Sequence, residues 1–274
     1  MKLLKHIIRA GALGALLLTT AAVQAQQVSL KVFVWNVLSF ERVDKSGEAA
    51  GFPVGEHLAL IKAQNPDIVC LNEFETGTSR MGKEKMAELA TELGMYSYYV
   101  MSYPKDVGYY GNVILSKYPI LNSGSKLFTY ENAQGPGNYQ FNSGWQMNYY
   151  GSDQRSIGYV DILVPTSDTD GRIVRIACTH FDHVAGQATI QQPEAIEFLQ
   201  LENPPYPTLL MGDLNTSFTN SLNQMNKLGE LAFVSWVDHI ICFPKGAWTW
   251  KDGQSVSSGA LSDHNAAKAT VELK

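Results

Sequence analysis

Cysteine is scarce in this chain. The sequence contains three cysteines, Cys70, Cys178 and Cys242, and each lies within or beside an apolar run. An odd number at such positions does not suit the paired framework that stabilises small secreted domains. The positions favour small buried hydrophobic residues over a disulfide bridge. Paired-cysteine and His-x-x-x-His spacings are also missing, which disfavours a zinc site.

A long apolar run is missing as well. The first 25 residues carry three basic residues, followed by an apolar stretch at positions 11–22. That stretch is too short to span a bilayer, which takes roughly 20 apolar residues, and the pattern is typical of a cleavable secretory signal. We therefore expect cleavage near Ala25, no stable membrane anchor, and a secreted or periplasmic protein. Residues 26–274 would then form a single domain.

Positive charge is scarce once this leader is removed. The whole chain has 21 Lys plus Arg and 26 Asp plus Glu. The leader holds three of the basic residues and none of the acidic ones, so the mature chain has 18 against 26 and a net charge of −8. Proteins that follow duplex phosphates usually carry a basic face. The charge disfavours a nucleic-acid partner without excluding one, because a local patch or a metal ion can supply positive charge.

Acidic, amide and histidine side chains follow several apolar runs. The segments are Trp35-Asn36, Asn72-Glu73, Thr179-His180-Phe181-Asp182-His183, Gly212-Asp213-Leu214-Asn215 and Ser262-Asp263-His264. Strand ends of this kind carry the chemistry of α/β proteins. The oxygen-rich set suits a hard divalent cation, Mg²⁺ or Mn²⁺. Each segment alone is more typical of a turn or a helix cap, so the prediction of a site depends on their recurrence.

Periodicity predicts strands that alternate with helices. Helices are predicted at 56–64, 83–93 and 193–201, the last with a proline in its first turn. Strands are predicted at 96–101, 112–116, 157–164, 172–178, 208–211, 232–237 and 266–273. No repeat, low-complexity segment or linker divides the chain. This order indicates an α/β domain with helices covering sheets.

Eight segments, taken in order, resemble the metal-dependent endonuclease/exonuclease/phosphatase superfamily. They are Trp35-Asn36-Val37, Asn72-Glu73, the run at 110–120 that contains Asn112, Arg155, the run at 179–183, Gly212-Asp213-Leu214-Asn215, Val237-Asp238-His239-Ile240 and Ser262-Asp263-His264. The Thr-His-Phe-Asp-His run resembles a secreted bacterial branch, although the arginine that usually follows it there is missing. The resemblance implies a four-layer α/β sandwich of two packed mixed sheets with outer helices.

Phosphoester hydrolysis gives the acidic and amide residues their expected roles. Glu73 is the expected metal anchor, with Asn36 and Asp263 as further oxygen ligands. Asp213, held by Asn215, is expected to orient and deprotonate the attacking water.

The basic residues are expected to contact the phosphate. His180 and His264 would donate hydrogen bonds to phosphoryl oxygens, and the spacing and the family pattern pair His264 with Asp238. Arg155 and Asn112 are expected at the substrate, although a solvated loop arginine is nearly as good an interpretation of Arg155.

The segment at 129–154 contains six aromatic residues and no Lys or Arg. It would suit a sugar ring, a single base or a lipid head group better than a long polyanion, unless it is a self-packed surface loop. We therefore expect a secreted phosphoesterase that acts on a compact phosphomonoester or phosphodiester. A DNA or RNA nuclease of the same fold is the alternative within the family, and a non-catalytic secreted binding protein is the alternative outside it.

Overall fold

Two six-stranded sheets pack face to face at the centre of the protein in this computed structural model. The structure describes residues 27–41, 43, 54–79, 81–82, 85–132, 135–137, 154–167, 170–184, 186–216 and 221–274. The predicted leader at residues 1–25 lies outside the described residues. Most of the aromatic segment at 129–154 does so too. Within it the structure describes Thr129, Gln154 and the backbone of a small hairpin, β6 Tyr130–Asn132 and β7 Gly135–Gly137.

The first sheet has the strand order β13-β14-β1-β2-β4-β3. Its strands are β1 Ser29–Asn36, β2 Ile68–Thr76, β3 Tyr96–Lys105, β4 Gly108–Ser116, β13 Trp248–Val256 and β14 Ala266–Leu273. Strands β1 and β2 are parallel, and Asn36 pairs with Asn72 at their carboxyl ends. The other pairings are antiparallel. The sheet is therefore mixed, and its one parallel pair ends at a single edge.

The second sheet has the order β11-β12-β10-β9-β8-β5. Its strands are β5 Ile120–Leu127, β8 Ser156–Pro165, β9 Gly171–His180, β10 Thr208–Asp213, β11 Glu230–Ser235 and β12 Asp238–Phe243. Strands β9 and β10 are parallel, and the register places His180 beside Asp213. The antiparallel pair β10 and β12 places Asp213 beside Asp238. Three of the predicted site residues thus share one row of this sheet.

The sheets bury a common apolar layer between them. Val34 and Cys70 of the first sheet and Cys178 and Met211 of the second belong to one cluster of fully buried side chains. Burial of such a side chain contributes about 1.5–3 kcal/mol each, so this layer fixes the relative position of the two sheets. All three cysteines, counting Cys242, are buried and free, which confirms the prediction that they serve as small hydrophobic residues.

Helices cover the outer faces. They are α1 Val54–Gln64, α2 Lys85–Leu93, α3 Gln187–Leu199 and α4 Asn223–Leu228. The first two pack Ile61 and Leu89 against the first sheet, and α3 packs Leu199 against the second. The prediction of two packed mixed sheets with outer helices is confirmed. None of the helices in the described part combines the length and apolar character that a membrane span requires.

The helix predicted at 193–201 is wrong in its start. Helix α3 begins at Gln187, after Gly186 with a φ of 89°, and Pro193 lies within it. The first turns bury the amides of Gln191 and Gln192. Because buried polar residues do not contribute to an apolar period, the sequence pattern concealed these turns.

Two strand expectations also need correction. The strand predicted at 232–237 ends at Ser235, and Trp236 and Val237 form the turn to β12. Ser262-Asp263-His264 was expected to follow an apolar run directly, yet β13 ends at Val256 and these residues lie in the loop before β14. Most side chains of β13 are exposed, so the strand has no apolar alternation that a sequence pattern could reveal.

Candidate active site

One buried asparagine joins the two sheets beneath the predicted site. The Asn72 side-chain nitrogen donates to the Thr179 carbonyl at 2.9 Å, and its oxygen accepts from the Asp213 backbone nitrogen at 2.9 Å. The same nitrogen donates to the side-chain oxygen of Asn112 at 2.8 Å. Asn112 is itself buried and donates to the Ser156 hydroxyl at 3.3 Å. The structure thus places Asn112 below the site, in support of Asn72.

Glu73 lies on a β-bulge. The register of β2 against β4 shifts between Leu71 and Phe74, and Glu73 has a φ of 59° in the left-handed region. Such a conformation costs about 1–3 kcal/mol in a non-glycine residue and is concentrated at functional sites. A bulge also redirects a side chain away from the regular alternation. Here it directs the carboxylate toward the amide of Asn36, whose nitrogen donates to Glu73 Oε1 at 3.1 Å.

Asn36 lies between two carboxylates. Its side-chain nitrogen lies 3.1 Å from Glu73 Oε1 and 3.1 Å from Asp213 Oδ2, and its oxygen accepts from the Leu38 backbone nitrogen at 3.1 Å. Burial raises the pKa of Glu73, and the charges of Asp213 and Asp263 raise it further against the opposing effects of Arg155 and Asn36. Burial likewise raises the pKa of Asp213. Carboxylates are therefore crowded at this edge.

The crowded carboxylates fit a hard divalent cation. Glu73 and Asp213 both accept from the amide of Asn36. The exposed Asp263 lies at the mouth of the site, and its charge raises the pKa of Glu73. A cation among them would offset the burial that raises the pKa values of Glu73 and Asp213, and the carboxylate repulsion that adds to this effect at Glu73. The Asn36 oxygen has a second lone pair besides the one that Leu38 uses. The residues that would hold Mg²⁺ or Mn²⁺ are thus Glu73, Asn36 and Asp263.

Asp238 and His264 form a tight pair. His264 Nδ1 donates to Asp238 Oδ2 at 2.7 Å, and Nε2 lies 3.7 Å from Asp213 Oδ2. Burial lowers the pKa of His264, but the hydrogen bond and charge of Asp238, with the charges of Asp213 and Asp263, raise it overall to about 9. One atom from each of Asp213, Asp238 and His264 lies within 4.8 Å of the others. Nδ1 is hydrogen-bonded to Asp238 and the pKa of about 9 keeps both ring nitrogens protonated, so His264 offers no free lone pair to a metal ion.

His180 lies between an arginine and the Asp213 carboxylate. Arg155 Nη1 lies 3.0 Å from His180 Nδ1. A guanidinium only donates, so Nδ1 accepts and the ring proton is on Nε2, which lies 3.3 Å from Asp213 Oδ2. Burial, then the charges of Arg155, His264 and His183, lower the pKa of His180 well below its usual value. His180 is therefore a neutral donor through Nε2.

Arg155 is buried, with 3% of its surface exposed. The interpretation of Arg155 as a solvated loop residue is therefore wrong. Its Nη2 also lies 3.5 Å from Nδ1 of the exposed His183. The adjacent Asp182 is buried and accepts from the Val184 backbone nitrogen at 2.9 Å. The arginine and His183 thus extend the site toward solvent, while Asp182 holds the loop after β9.

Asn215 holds Asp213 from the other side. Its backbone nitrogen donates to Asp213 Oδ1 at 2.9 Å, and its φ of 49° lies in the left-handed region, which asparagine tolerates better than most residues. Its side-chain nitrogen donates to the Phe181 carbonyl at 2.9 Å and lies 3.0 Å from His180 Nε2. Because His180 carries its proton on Nε2, this last approach is not a hydrogen bond.

Sequence reasoning missed the residues that hold the His264 loop. The Trp35 indole donates to the His264 carbonyl at 2.9 Å, and the buried His57 contacts the Leu261 carbonyl at 2.8 Å through Nε2. The Ser262 hydroxyl donates to the Asn36 carbonyl at 2.7 Å. The sequence distinguishes Trp35 only as the residue before Asn36, and no pattern in the sequence marks His57.

The chain matches the Endonuclease/Exonuclease/phosphatase family over residues 34–264 and belongs to it. Members of this family are generally phosphoester-cleaving hydrolases and commonly use divalent metals. No curated protein matches the chain.

Solved structures share the fold at low sequence identity. An endonuclease/exonuclease/phosphatase from Beutenbergia cavernae is 18% identical with a TM-score of 0.65, over 89% of this chain and 72% of that one. The human Nocturnin catalytic domain with bound sulfate is 16% identical with a TM-score of 0.60, over 90% and 94%. Sphingomyelinase C from Streptomyces griseocarneus is 17% identical with a TM-score of 0.55, over 89% and 99%. These likenesses concern the fold.

Proposed function

We propose that the protein is an exported, divalent-metal-dependent phosphoesterase that hydrolyses a compact phosphomonoester or phosphodiester by in-line attack of water. The observation that carries the proposal is the convergence of donors on one oxygen, Asp213 Oδ2. Asn36 Nδ2 lies 3.1 Å from this oxygen, His180 Nε2 3.3 Å and His264 Nε2 3.7 Å. Export rests on the sequence of residues 1–25 alone.

Asp213 would act as the general base. Its Oδ1 is held by the Asn215 backbone nitrogen, and its Oδ2 would accept the proton of the attacking water once His180 and His264 donate to the phosphate in its place. Burial raises the pKa of Asp213, which makes the carboxylate a better proton acceptor. A divalent cation held by Glu73, Asn36 and Asp263 would supply neutralisation of the phosphoryl oxygens.

The two histidines would stabilise the phosphoryl group, and the arginine would orient one of them. As the water oxygen bonds to phosphorus, negative charge grows on the phosphoryl oxygens, and the Nε2 protons of His180 and His264 would donate to them instead of facing Asp213. The electron pair of the breaking P–O bond passes to the leaving oxygen. Asp238 keeps Nδ1 of His264 protonated and holds the ring in place. Arg155 donates to Nδ1 of His180, which leaves the ring proton on Nε2 and orients that ring.

The charge of the described site favours a compact substrate over a long polyanion. Among the described Lys and Arg residues, Arg155 is the one whose charge lowers the pKa values of Glu73, Asp213 and His180. A protein that binds duplex DNA neutralises several phosphates along its groove. With a mature net charge of −8, the described residues around Asp213 would offer one buried arginine, Arg155, for one phosphate.

The test is hydrolysis of p-nitrophenyl phosphate and bis-(p-nitrophenyl) phosphate by residues 26–274, with Mg²⁺ or Mn²⁺ and with excess chelator. Asp213→Asn and His264→Ala should each reduce turnover by about two to four orders of magnitude. Asp252→Asn changes an exposed carboxylate on β13 and should leave turnover unchanged. Circular dichroism checks that each variant is folded.

Full activity in chelator, or near-native turnover of a folded Asp213→Asn variant, would contradict the proposal. Efficient nicking of plasmid DNA with a steep salt dependence would favour the nuclease. Failure to hydrolyse any ester with either metal would favour the binding protein.

A further inference from the structure

One large aromatic side chain is exposed at the site. Trp236 has 73% of its surface exposed, and its ring centroid lies 4.8 Å from that of His264 with the planes inclined by 46°. Single exposed hydrophobic residues are common on protein surfaces. This one, however, is in contact with a histidine that faces the proposed phosphoryl position, so it lies within reach of any group attached to that phosphate.

The backbone at Trp236 is unusual for a tryptophan. Ser235 pairs with Asp238, so Trp236 and Val237 form a two-residue hairpin turn. Trp236 has a φ of 58°, a region that such turns normally give to glycine, asparagine or aspartate. A bulky residue there is strained, and strain of this kind is retained where a function requires it. The strained turn is what sets the indole beside His264.

The turn is also fixed to the site. The Val237 carbonyl accepts a hydrogen bond from the Leu214 backbone nitrogen at 2.9 Å and lies 2.7 Å from His239 Nδ1. Leu214 lies between the general base and the asparagine that holds it. The Ser235 hydroxyl lies 2.7 Å from that of Ser255 on β13. The indole is thus presented on a rigid support, which reduces the entropy lost when a ligand stacks on it.

We propose that Trp236 is the subsite for a planar aromatic ring on the ester group that stays attached to phosphorus, such as the base of a nucleoside phosphoester. The inference rests on the proposed phosphoesterase function. An indole face stacks on a flat ring at centroid distances of about 4.5–7 Å, while an alkyl chain gains from apolar area and has no need of an oriented ring. A sugar between the ring and the phosphate would link the Trp236 subsite to the groups around Asp213.

The test uses three esters that share the p-nitrophenolate leaving group. They differ in the second ester group, the one that stays on phosphorus. It is the 5′-oxygen of thymidine, choline or methanol. For Trp236→Ala, kcat/KM should fall about tenfold or more with the thymidine ester, the usual size of a base-stacking contribution, and change less than threefold with the methyl ester. Trp236→Phe should recover most of the loss. Trp250→Ala is the matched control, because Trp250 is a partly exposed indole on β13.

Equal losses with all three esters would overturn the inference and give Trp236 a role in supporting His264. The largest loss with the phosphorylcholine ester would overturn it in favour of a cationic head group. Both outcomes leave the phosphoesterase function standing. If the wild-type protein hydrolyses none of the three diesters, calorimetric titration with thymidine 5′-monophosphate decides the subsite, and the proposed function itself fails only if p-nitrophenyl phosphate and bis-(p-nitrophenyl) phosphate are not hydrolysed either. Binding weakened about tenfold in Trp236→Ala would support the subsite, and equal binding would overturn it.

Discussion

The indole nitrogen of Trp35 donates a hydrogen bond to the main-chain carbonyl of His264 across 2.9 Å. Trp35 lies on β1, one residue before Asn36, whereas His264 lies in the loop before β14. On its other side the indole stacks on the buried His57 at 5.0 Å, and His57 reaches the Leu261 carbonyl. The apolar core of the first sheet thus sets the position of a loop that carries two proposed active-site residues.

We predict that Trp35→Phe impairs catalysis by displacing this loop. The change leaves the buried His264 carbonyl without its donor, which costs about 1–3 kcal/mol. Turnover should fall several-fold with little change in KM, because the proposed role of His264 is to donate to the phosphoryl oxygens in the transition state. The measurement is a kinetic assay on bis-(p-nitrophenyl) phosphate combined with thermal unfolding.

Trp248→Phe is the matched control for this change. The Trp248 indole is equally buried and donates to the Phe243 carbonyl at 2.9 Å, away from the site. It should lose similar stability and keep its turnover at 25 °C. If both variants lose turnover equally, Trp35 is a stabilising residue and not a positioning residue.

Chemistry at strand ends made most of the site predictable. Carboxylates and histidines are rare within buried strands, so Asp213, His180 and Glu73 were recognised from their positions after apolar runs. The geometry that assembles them was not predictable. A single asparagine, Asn72, joins the sheets through two side-chain hydrogen bonds, to Thr179 and Asp213, and a bulge redirects Glu73. Both depend on tertiary contacts that leave no periodic pattern in the sequence.

The fold was predictable where burial is one-sided. Helix α2 and strand β14 were predicted within two residues of their observed bounds, because each shows apolar positions that match its period. Helix α1 was also predicted within two residues, and Asn65-Pro66 marks its end. Helix α3 and strand β13 show no such period. Buried glutamines occupy the start of α3, and β13 exposes most of its side chains.

We predict that Mg²⁺ stabilises the wild-type protein against heat and that Glu73→Gln abolishes most of this effect. A ligand at 100 times its Kd adds about 2.7 kcal/mol to the free energy of unfolding, which raises Tm by roughly 5–10 °C in a chain of this size. Without metal, Glu73→Gln should be at least as stable as the wild type, because burial and neighbouring carboxylates raise the pKa of Glu73.

Glu75→Gln is the control for the metal effect. Glu75 lies two residues along the same strand, is fully buried, and is paired with Lys105 and the Thr78 hydroxyl. Its change should lower stability and leave the Mg²⁺-dependent rise in Tm intact. An unchanged rise in Glu73→Gln would remove Glu73 from the metal site.

We predict that the buried His239 makes stability depend on pH between about 6.5 and 4. Burial is the larger effect and lowers the pKa of His239 to about 4, against an opposing hydrogen bond to Val237. In the unfolded chain the pKa is about 6.5. Within this window the unfolded chain binds a proton that the folded protein does not, so the free energy of unfolding rises with pH and falls as pH is lowered. The loss is fully developed near pH 4 and amounts to at most about 3 kcal/mol.

Urea unfolding at pH 7, 5.5 and 4.5 measures this loss of stability, and His239→Gln should show a smaller decline than the wild type because the titrating group is gone. Parallel declines in the two proteins would mean that other groups, and not His239, set the acid sensitivity.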